Sequence, residues 1–310
     1  MVRRGRATGG LEFAADVPVH PTGLKKRTEL FRHPRFMAAS TTSAYPIRSL
    51  REQVTALEAA ITLCLADPEV KPVHRLRTTT RRIEAQLAML TTLAQLPDQS
   101  RPERKARRML KKIRRAAGVV RDIDVQLNLI DSIVPEDPPR AMKSNAGKLK
   151  KELEAERDGH SQDLVKILRR RQSELVLALE DLLDALEPVE SLSLSATELV
   201  SLAQRWFAEN TPPEPQQGAD DPDYLHSIRK VAKLTRYIAE NAPKKAKRPR
   251  RLAESFERLQ QSGGEWHDWL VLSEIAGDKL GGASPVTGAL EDRSRVALAA
   301  YRRHLQEISG

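Results

Sequence analysis

Two short segments of the chain share a histidine with cations three and seven residues later. The repeated residues are His74, Arg77 and Arg81 in the first segment and His226, Arg229 and Lys233 in the second. Steps of three and four residues keep such side chains on one face of a helix. Cations in a strip bind oxyanions, and a neighbouring imidazole gains protonated fraction when an anion binds. The pattern indicates an anion-binding surface, with hydrogen-bonded structural histidines as the alternative.

A second motif follows each histidine segment. Gly118, Arg121 and Asp122 follow the first, and Gly264, His267 and Asp268 hold the same relative places after the second. Two motifs repeated in the same order indicate an internal duplication. The two aspartates are candidates for catalytic carboxylates. Their position beside a cation favours an orienting role instead, because a guanidinium holds a phosphate well only when its own rotamer is fixed.

The order of these motifs resembles that of the CHAD domain, the conserved histidine α-helical domain. The resemblance covers about residues 46–308 and rests on the segments that begin at His74, Gly118 and His226. It implies an all-helical domain that binds inorganic polyphosphate. Glu84 stands where the family favours a basic residue, and Leu234-Thr235 stand where it favours Arg-Leu. The first repeat is therefore expected to be less positive than usual. The Glu-x-Glu-x-Lys strand motif of triphosphate tunnel enzymes, often fused to CHAD domains, is not found, so a stand-alone CHAD protein is expected.

The composition suits a polyanion recognised through its charge. Lys and Arg number 52 against 42 Asp and Glu, a formal charge of +10, while aromatic residues make up only 4%. A basic surface with few aromatics favours phosphates over stacked bases. The single cysteine, Cys64, excludes an internal disulfide. With no membrane-length apolar run and no signal peptide, a cytoplasmic protein is expected.

Apolar residues at helical spacing predict an all-α fold. Eight helices are expected, over about residues 46–66, 71–95, 102–133, 140–186, 195–209, 222–241, 250–279 and 285–308. Residues 1–45 lack periodicity and are expected to form a disordered leader, with Met1 or Met37 as the true start. Residues 46–187 and 188–310 are then two helical halves, two four-helix bundles related by a pseudo-twofold axis. An interruption is expected near Gly263 and Gly264, and the charged first half of the helix over 140–186 is expected to project or fray.

The predicted helix over 102–133 carries many cations outside its apolar stripe. Like charges four residues apart destabilise a helix by a few tenths of a kcal/mol per pair, so an anionic partner is expected to compensate them. Pairing with Glu152, Glu154 and Glu156 of the next helix is the alternative.

These observations together predict a non-enzymatic polyphosphate-binding protein with a basic central channel. Neither catalytic residues nor a metal site nor a cofactor is expected. The predicted binding residues are His74, Arg77, Arg81, Arg82, Arg107, Lys111, Arg114, Arg121, His226, Arg229, Lys233, Arg236 and His267. The expected partners are polyphosphate and proteins of cytoplasmic polyphosphate granules, with nucleic acid as a weak competitor and no membrane. Two alternatives stay open: a nucleic-acid binder, and a phosphohydrolase or kinase that uses the His/Asp pairs.

Overall fold

The chain folds into α-helices joined by short connections. The computed structural model describes residues 43–93, 96–215, 221–243 and 245–309. Eight helices lie in these ranges: α1 Pro46–Ala66, α2 Val70–Leu90, α3 Ser100–Ile133, α4 Arg140–Leu186, α5 Ala196–Asn210, α6 Pro222–Glu240, α7 Lys247–Leu280 and α8 Pro285–Ser309. The all-α prediction is confirmed for this part of the chain. The predicted leader, residues 1–45, falls almost wholly outside the described residues.

Local sequence signals explain where α5 and α6 begin. Ser195 accepts a hydrogen bond from the Glu198 amide, and the Glu198 side chain accepts one from the Ser195 amide, which completes a capping box. Asp221 accepts a hydrogen bond from the Tyr224 amide at 2.9 Å, and Pro222 occupies the first helical position. This cap fixes where the second histidine helix, which carries His226, begins.

Each of the two histidine helices buries a stripe of mostly apolar residues at helical spacing. In α2 the buried residues include Val73, Leu76, Thr80, Ile83 and Leu87, and in α6 they include Leu225, Ile228, Ala232, Thr235 and Ala239. Thr80 and Thr235 donate to carbonyl groups of their own helices, so neither hydroxyl is buried without a partner. Since each stripe faces a core, the cations beside it lie at the margins of helix contacts.

Two predictions about the helices are wrong, one about where a helix ends and one about an interruption. Helix α2 ends at Leu90 and not near residue 95. Helix α7 runs without interruption through Gly263 and Gly264. A Cβ atom on Gly263 would lie 2.7 Å from the ring of Tyr301, a fully buried residue of α8. Glycine at this position therefore permits close packing of α7 on α8 and does not mark a break.

Helices α3 and α4 pass from one hydrophobic core into another. One core combines α1 and α2 with the first part of α3 and the second part of α4. The other combines the end of α3 and the beginning of α4 with α6, α7 and α8. Met142, Ala146, Leu149 and Leu153 of α4 are buried in this second core. The expectation that the first half of α4 projects or frays is therefore wrong, since its charges occupy only the outer face.

Three of the four pairs of corresponding helices in the two repeats touch each other. Helix α2 contacts α6, α3 contacts α7, and α4 contacts α8. A pseudo-twofold relation would produce these three pairings, and the relation itself remains a prediction. The cores do not divide at residue 187, because α3 and α4 contribute to both. None of the helices in the described ranges has the length and apolar character needed to cross a membrane.

Candidate anion-binding cleft

A cleft opens where α2, α3, α6 and α7 meet. It encloses about 170 Å³ and is called the central cleft below. Its lining residues are Arg77 and Arg81 from α2, Asp122 and Gln126 from α3, His226 and Arg229 from α6, and His267, Asp268 and Val271 from α7. The motifs of both repeats therefore contribute residues to a single cleft.

Arg229 is the most unusual group of the central cleft because it is a buried cation. Only 8% of its surface is exposed, and its Nη1 atom has no hydrogen-bond partner among the described residues. Burial is the main cause that lowers the pKa of Arg229, and the nearby carboxylate of Asp268 partly offsets this effect. Arginine is seldom so buried without full pairing, because desolvating a charge is costly.

Arg77 is nearly as buried, with 11% of its side chain exposed. Its Nη2 atom donates to Asp122 Oδ1 at 3.3 Å, while its Nε atom has no hydrogen-bond partner in the described part of the chain. Burial and then the charge of Arg81 lower the pKa of Arg77 to about 9. Both central arginines thus retain N–H groups that an anion could satisfy.

The carboxylates of Asp122 and Asp268 hold the guanidinium groups in place. Arg121 Nη1 lies 3.1 Å from Asp122 Oδ1 and 3.4 Å from Asp268 Oδ2. Asp122 also accepts the hydrogen bond from Arg77. These ion pairs join the first motif to the second within one repeat, and the first repeat to the second. They are the contacts expected of orienting groups.

Lys233 lies one turn beyond Arg229 on α6 and has a cationic environment. Its pKa is lowered to about 5 by burial and by the charges of Arg81, Arg229, Arg77 and Arg121. These effects shift Lys233 towards its neutral form. An anion placed among these groups would favour the protonated form.

The histidines of the second repeat form a pair. The ring centroids of His226 and His267 are 4.7 Å apart, and His226 Nδ1 is buried without a hydrogen-bond partner among the described residues. Burial, followed by the charge of Lys230, lowers the pKa of His226 to about 4. The pKa of His267 is also lowered, mainly by burial and then by Arg229. His74 is exposed and does not line the central cleft. Its pKa is lowered, first by desolvation and then by the charges of Arg121, Arg77 and Arg81.

Several other predicted binding residues are paired away from the central cleft. Arg82 lies near Glu240, and Arg107 lies 2.6 Å from Glu103. Arg114 lies 2.6 Å from Glu84, so the unusual acid of the first repeat neutralises a cation of α3. Arg236 contacts Glu240, Glu257 and Gln260 and does not line the cleft. Lys111 is exposed and does not line the cleft.

The alternative pairing of α3 with acids of α4 is also absent from the described residues. Glu152 and Glu156 contact Lys279 of α7, and Glu154 is exposed. Sequence analysis missed Gln126 and Val271 of the cleft. Gln126 lies four residues after Asp122 on α3, so helical spacing places both on one face. Val271 holds the place in the second repeat that Val125 holds in the first, so the repeat itself points to it. Among the residues described, no group of three or more His, Cys, Asp or Glu is placed to hold a metal ion.

Comparison with known families identifies the architecture. The family model described as "CHAD domain" matches residues 48–277, which is most of the chain. The chain belongs to the CHAD domain family. A search of curated proteins finds no significant match.

Two solved structures resemble this CHAD protein in fold. The crystal structure of the CHAD domain from the plant Ricinus communis aligns with a TM-score of 0.61 at 18% identity, covering 87% of this chain and 94% of that one. PptA from Streptomyces chartreusis aligns with a TM-score of 0.51 at 15% identity, covering 84% of this chain and 98% of that one. The helical architecture of the CHAD protein is therefore shared at low sequence identity.

The central cleft of the CHAD protein has an excess of basic groups. Arg77, Arg81, Arg121, Arg229 and Lys233 lie in or beside it, with Asp122 and Asp268 as the carboxylates. The two carboxylates balance only part of that charge. The arrangement can therefore hold an anion with several negative groups, for which the guanidinium N–H donors are already oriented.

Proposed function

We propose that this CHAD protein binds inorganic polyphosphate in the central cleft and does not cleave it. The observation that carries the proposal is buried Arg229, whose Nη1 atom has no hydrogen-bond partner among the described residues. A buried cation next to other cations is costly unless an anion joins it. Membership of the CHAD family supports a polyphosphate-related function.

The lining of the cleft favours a chain of phosphates over nucleic acid. None of its lining residues is Phe, Tyr or Trp, so a nucleobase finds no aromatic platform of the usual kind. Trp266 is buried beside Tyr301 in the hydrophobic core behind His267. A polyphosphate needs only oxygen-binding groups, and Arg77, Arg81 and Arg229 supply them from two helices.

The ion pairs of the cleft favour binding over catalysis. Asp122 accepts from Arg77 and Arg121, and Asp268 accepts from Arg121. A general base must reach the proton that it removes, and the oxygens of these carboxylates are instead engaged by guanidinium groups. Both aspartates therefore act as positioning groups for the cations in this proposal.

One titration tests this function. The purified protein is titrated with polyphosphate of defined chain lengths, and each complex is then challenged with duplex DNA at equal phosphate concentration. Polyphosphate should displace DNA at far lower phosphate concentration than the reverse. Incubation with polyphosphate and divalent metals, followed by a sizing gel, should leave the chain length unchanged. Preferential DNA binding would exclude polyphosphate as the main ligand, and shortened chains would exclude a pure binder.

The cellular site follows from the ligand. A polyphosphate binder should gather on polyphosphate granules in the cytoplasm, together with the proteins of those granules. A fluorescent fusion should form foci that disappear when polyphosphate synthesis is deleted. Foci that persist without polyphosphate would contradict this location.

A further inference from the structure

A second set of cations follows the outer face of α3. It consists of Arg101, Arg104, Lys105, Arg108, Lys112 and Arg115 and is called the outer row below. At 100° per residue these six positions fall within a strip about 100° wide, and at 1.5 Å per residue the strip is about 21 Å long. All of them except Lys105 are exposed. The outer row is therefore a narrow line of solvent-facing positive charge.

The outer row is separate from the central cleft. Arg121, the α3 cation beside the cleft, lies roughly 150° around the helix from the middle of the row. None of the six outer residues lines the cleft. Because α3 stands between the two surfaces, an anion in the cleft does not neutralise the outer row.

The two faces of α3 also differ in how their charges are paired. On the inner side Arg107, Arg114 and Arg121 each contact a carboxylate. Among the described residues, none of the six outer cations forms an ion pair. Neighbours such as Arg104 and Arg108, or Arg108 and Lys112, are like charges four residues apart, which destabilise a helix. Among the described residues this repulsion is not relieved by any ion pair, and the charge of Asp98 offsets it only from a distance, near Arg104.

The residues around the outer row add more positive charge than negative charge. Arg101, Arg104, Lys105 and Arg108 border a shallow depression that contains one carboxylate, Asp181 of α4. Farther along α3, Lys112 and Arg115 face Arg170 and Arg171 of α4 across Val119. Arg171 is paired with Glu174, whereas Arg170 is exposed and forms no ion pair among the described residues. A linear anion laid on the row would meet cations along its whole length.

We propose that the outer row is a second polyphosphate-binding site, so that one protein joins two polyphosphate chains. The inference rests on the proposed function for the nature of the anion, but the site is independent of the central cleft. A straight row of cations on a helix surface suits an unbranched chain with regularly spaced negative charges. It offers no groups arranged to read bases. Two sites on opposite faces of α3 make the protein bivalent, and a bivalent binder cross-links long chains.

The test uses variants that change one face at a time. The row variant carries R104Q, R108Q and K112Q, which are exposed positions whose substitution should leave the fold intact. The charge-matched control carries K247Q, R248Q and R251Q, three exposed cations at the beginning of α7. A cleft variant carries R77M and R229M. Circular dichroism confirms folding, and calorimetric titration with short polyphosphate gives the number of chains bound per protein.

The parent and the control should bind two short chains, and the row variant should bind one. The row variant should also lose the turbidity that the parent produces with long polyphosphate, and its affinity should depend less on salt. If the parent binds one chain and the row variant matches it in stoichiometry and salt dependence, the second site does not exist. If the row variant loses only duplex DNA binding, the row is a nucleic-acid site and the proposal is wrong.

The same experiment separates this inference from the proposed function of the cleft. A cleft variant that still binds one chain, lost on combination with the row substitutions, supports both sites. If the cleft variant binds polyphosphate as well as the parent, the cleft is not a binding site, and the outer row remains as the candidate. A parent that binds no polyphosphate overturns both proposals.

Discussion

Arg121 of α3 lies 3.4 Å from Asp268 of α7, so the second motif of one repeat is joined to the equivalent motif of the other. The same guanidinium contacts Asp122, its own neighbour in sequence. Side-chain exposures of 23% for Arg121 and 18% for Asp268 place this contact in a partly desolvated setting. The contact therefore couples the positions of the two helices that border the central cleft.

Replacing Asp268 by Asn should destabilise the free protein. The substitution removes a carboxylate that faces Arg121 and offsets the charge of Arg229. We expect a loss of roughly 1–3 kcal/mol, the range for hydrogen bonds to charged groups. Bound polyphosphate should restore much of it by supplying negative charge. The measurement is the melting temperature with and without polyphosphate. The rise in melting temperature caused by polyphosphate should be larger in D268N than in the parent. An unchanged melting temperature of the free variant would mean that Asp268 has no compensating role.

Replacing Arg77 and Arg229 together by Met should weaken polyphosphate binding at least tenfold. Each lost phosphate contact is expected to cost roughly 1–3 kcal/mol, and methionine keeps much of the packing of the arginine stem. The salt dependence of the affinity should fall as well, because fewer counterions are released. Titration at two salt concentrations measures both effects.

The free R77M/R229M protein should melt at the same temperature as the parent or higher. Both arginines are buried next to other cations, and burial without full pairing opposes folding. The control carries K247Q and R251Q, two exposed cations at the beginning of α7. Equal loss of binding in the control would show that net charge, and not the cleft, determines affinity.

The sequence predicts helices well because burial follows the helical period. The stripes of α2 and α6 are local patterns, and both are buried as expected. The interruption predicted in α7 fails for an equally physical reason. A glycine costs about 1 kcal/mol in a helix, which the packing of Trp266 and Tyr301 in the same core can offset. Only the three-dimensional fold shows that Tyr301 occupies the space beside Gly263.

The cations that meet in the central cleft were predictable from the sequence. The carboxylates that form ion pairs with the predicted cations were predictable only in part. The pairs Glu103–Arg107 and Arg236–Glu240 are four residues apart on one helix, a spacing that the sequence already displays. Arg114 is different, because its partner Glu84 lies on another helix. The link from Arg121 to Asp268 also depends on how the repeats face each other. Such pairs cannot be read from periodicity.

Replacing Gly263 by Ala should destabilise the protein, whereas replacing Gly264 should not. A Cβ atom at residue 263 would lie 2.7 Å from the Tyr301 ring, and the Tyr301 hydroxyl donates to the Leu225 carbonyl at 2.9 Å. We expect a net loss of roughly 1–2 kcal/mol, because overpacking outweighs the better helix propensity of alanine. No atom lies within 4 Å of the corresponding position at Gly264, so G264A should be neutral or stabilising by up to about 1 kcal/mol. Chemical denaturation measures both, and equal stabilities would refute the packing role of Gly263.

Lys233 should make polyphosphate binding depend on pH. Its pKa is lowered to about 5 in the free protein, by burial and then by Arg81 and Arg229. At pH 7.5 the amine is neutral, and a bound phosphate favours the ammonium form. Binding should therefore take up a proton at Lys233, and affinity should fall as the pH rises above about 5. The limit is roughly tenfold per pH unit for each proton taken up.

The stability of the free protein should show the opposite trend. The unfolded chain protonates a lysine up to a pH of about 10.4. Between pH 5 and that value the unfolded state binds more protons than the folded state at Lys233, so the contribution of Lys233 to the free energy of unfolding rises with pH.

The proton uptake on binding can be measured directly. Calorimetric titration at pH 7.5 in buffers of different ionisation enthalpy counts the protons taken up on binding. Lys233→Met should take up about one proton fewer than the parent. H226Q tests the other candidate, because His226, with its pKa lowered to about 4, is also neutral at this pH and would take up a proton if it sensed the anion. If Lys233→Met takes up as many protons as the parent, Lys233 is not the group that senses the anion.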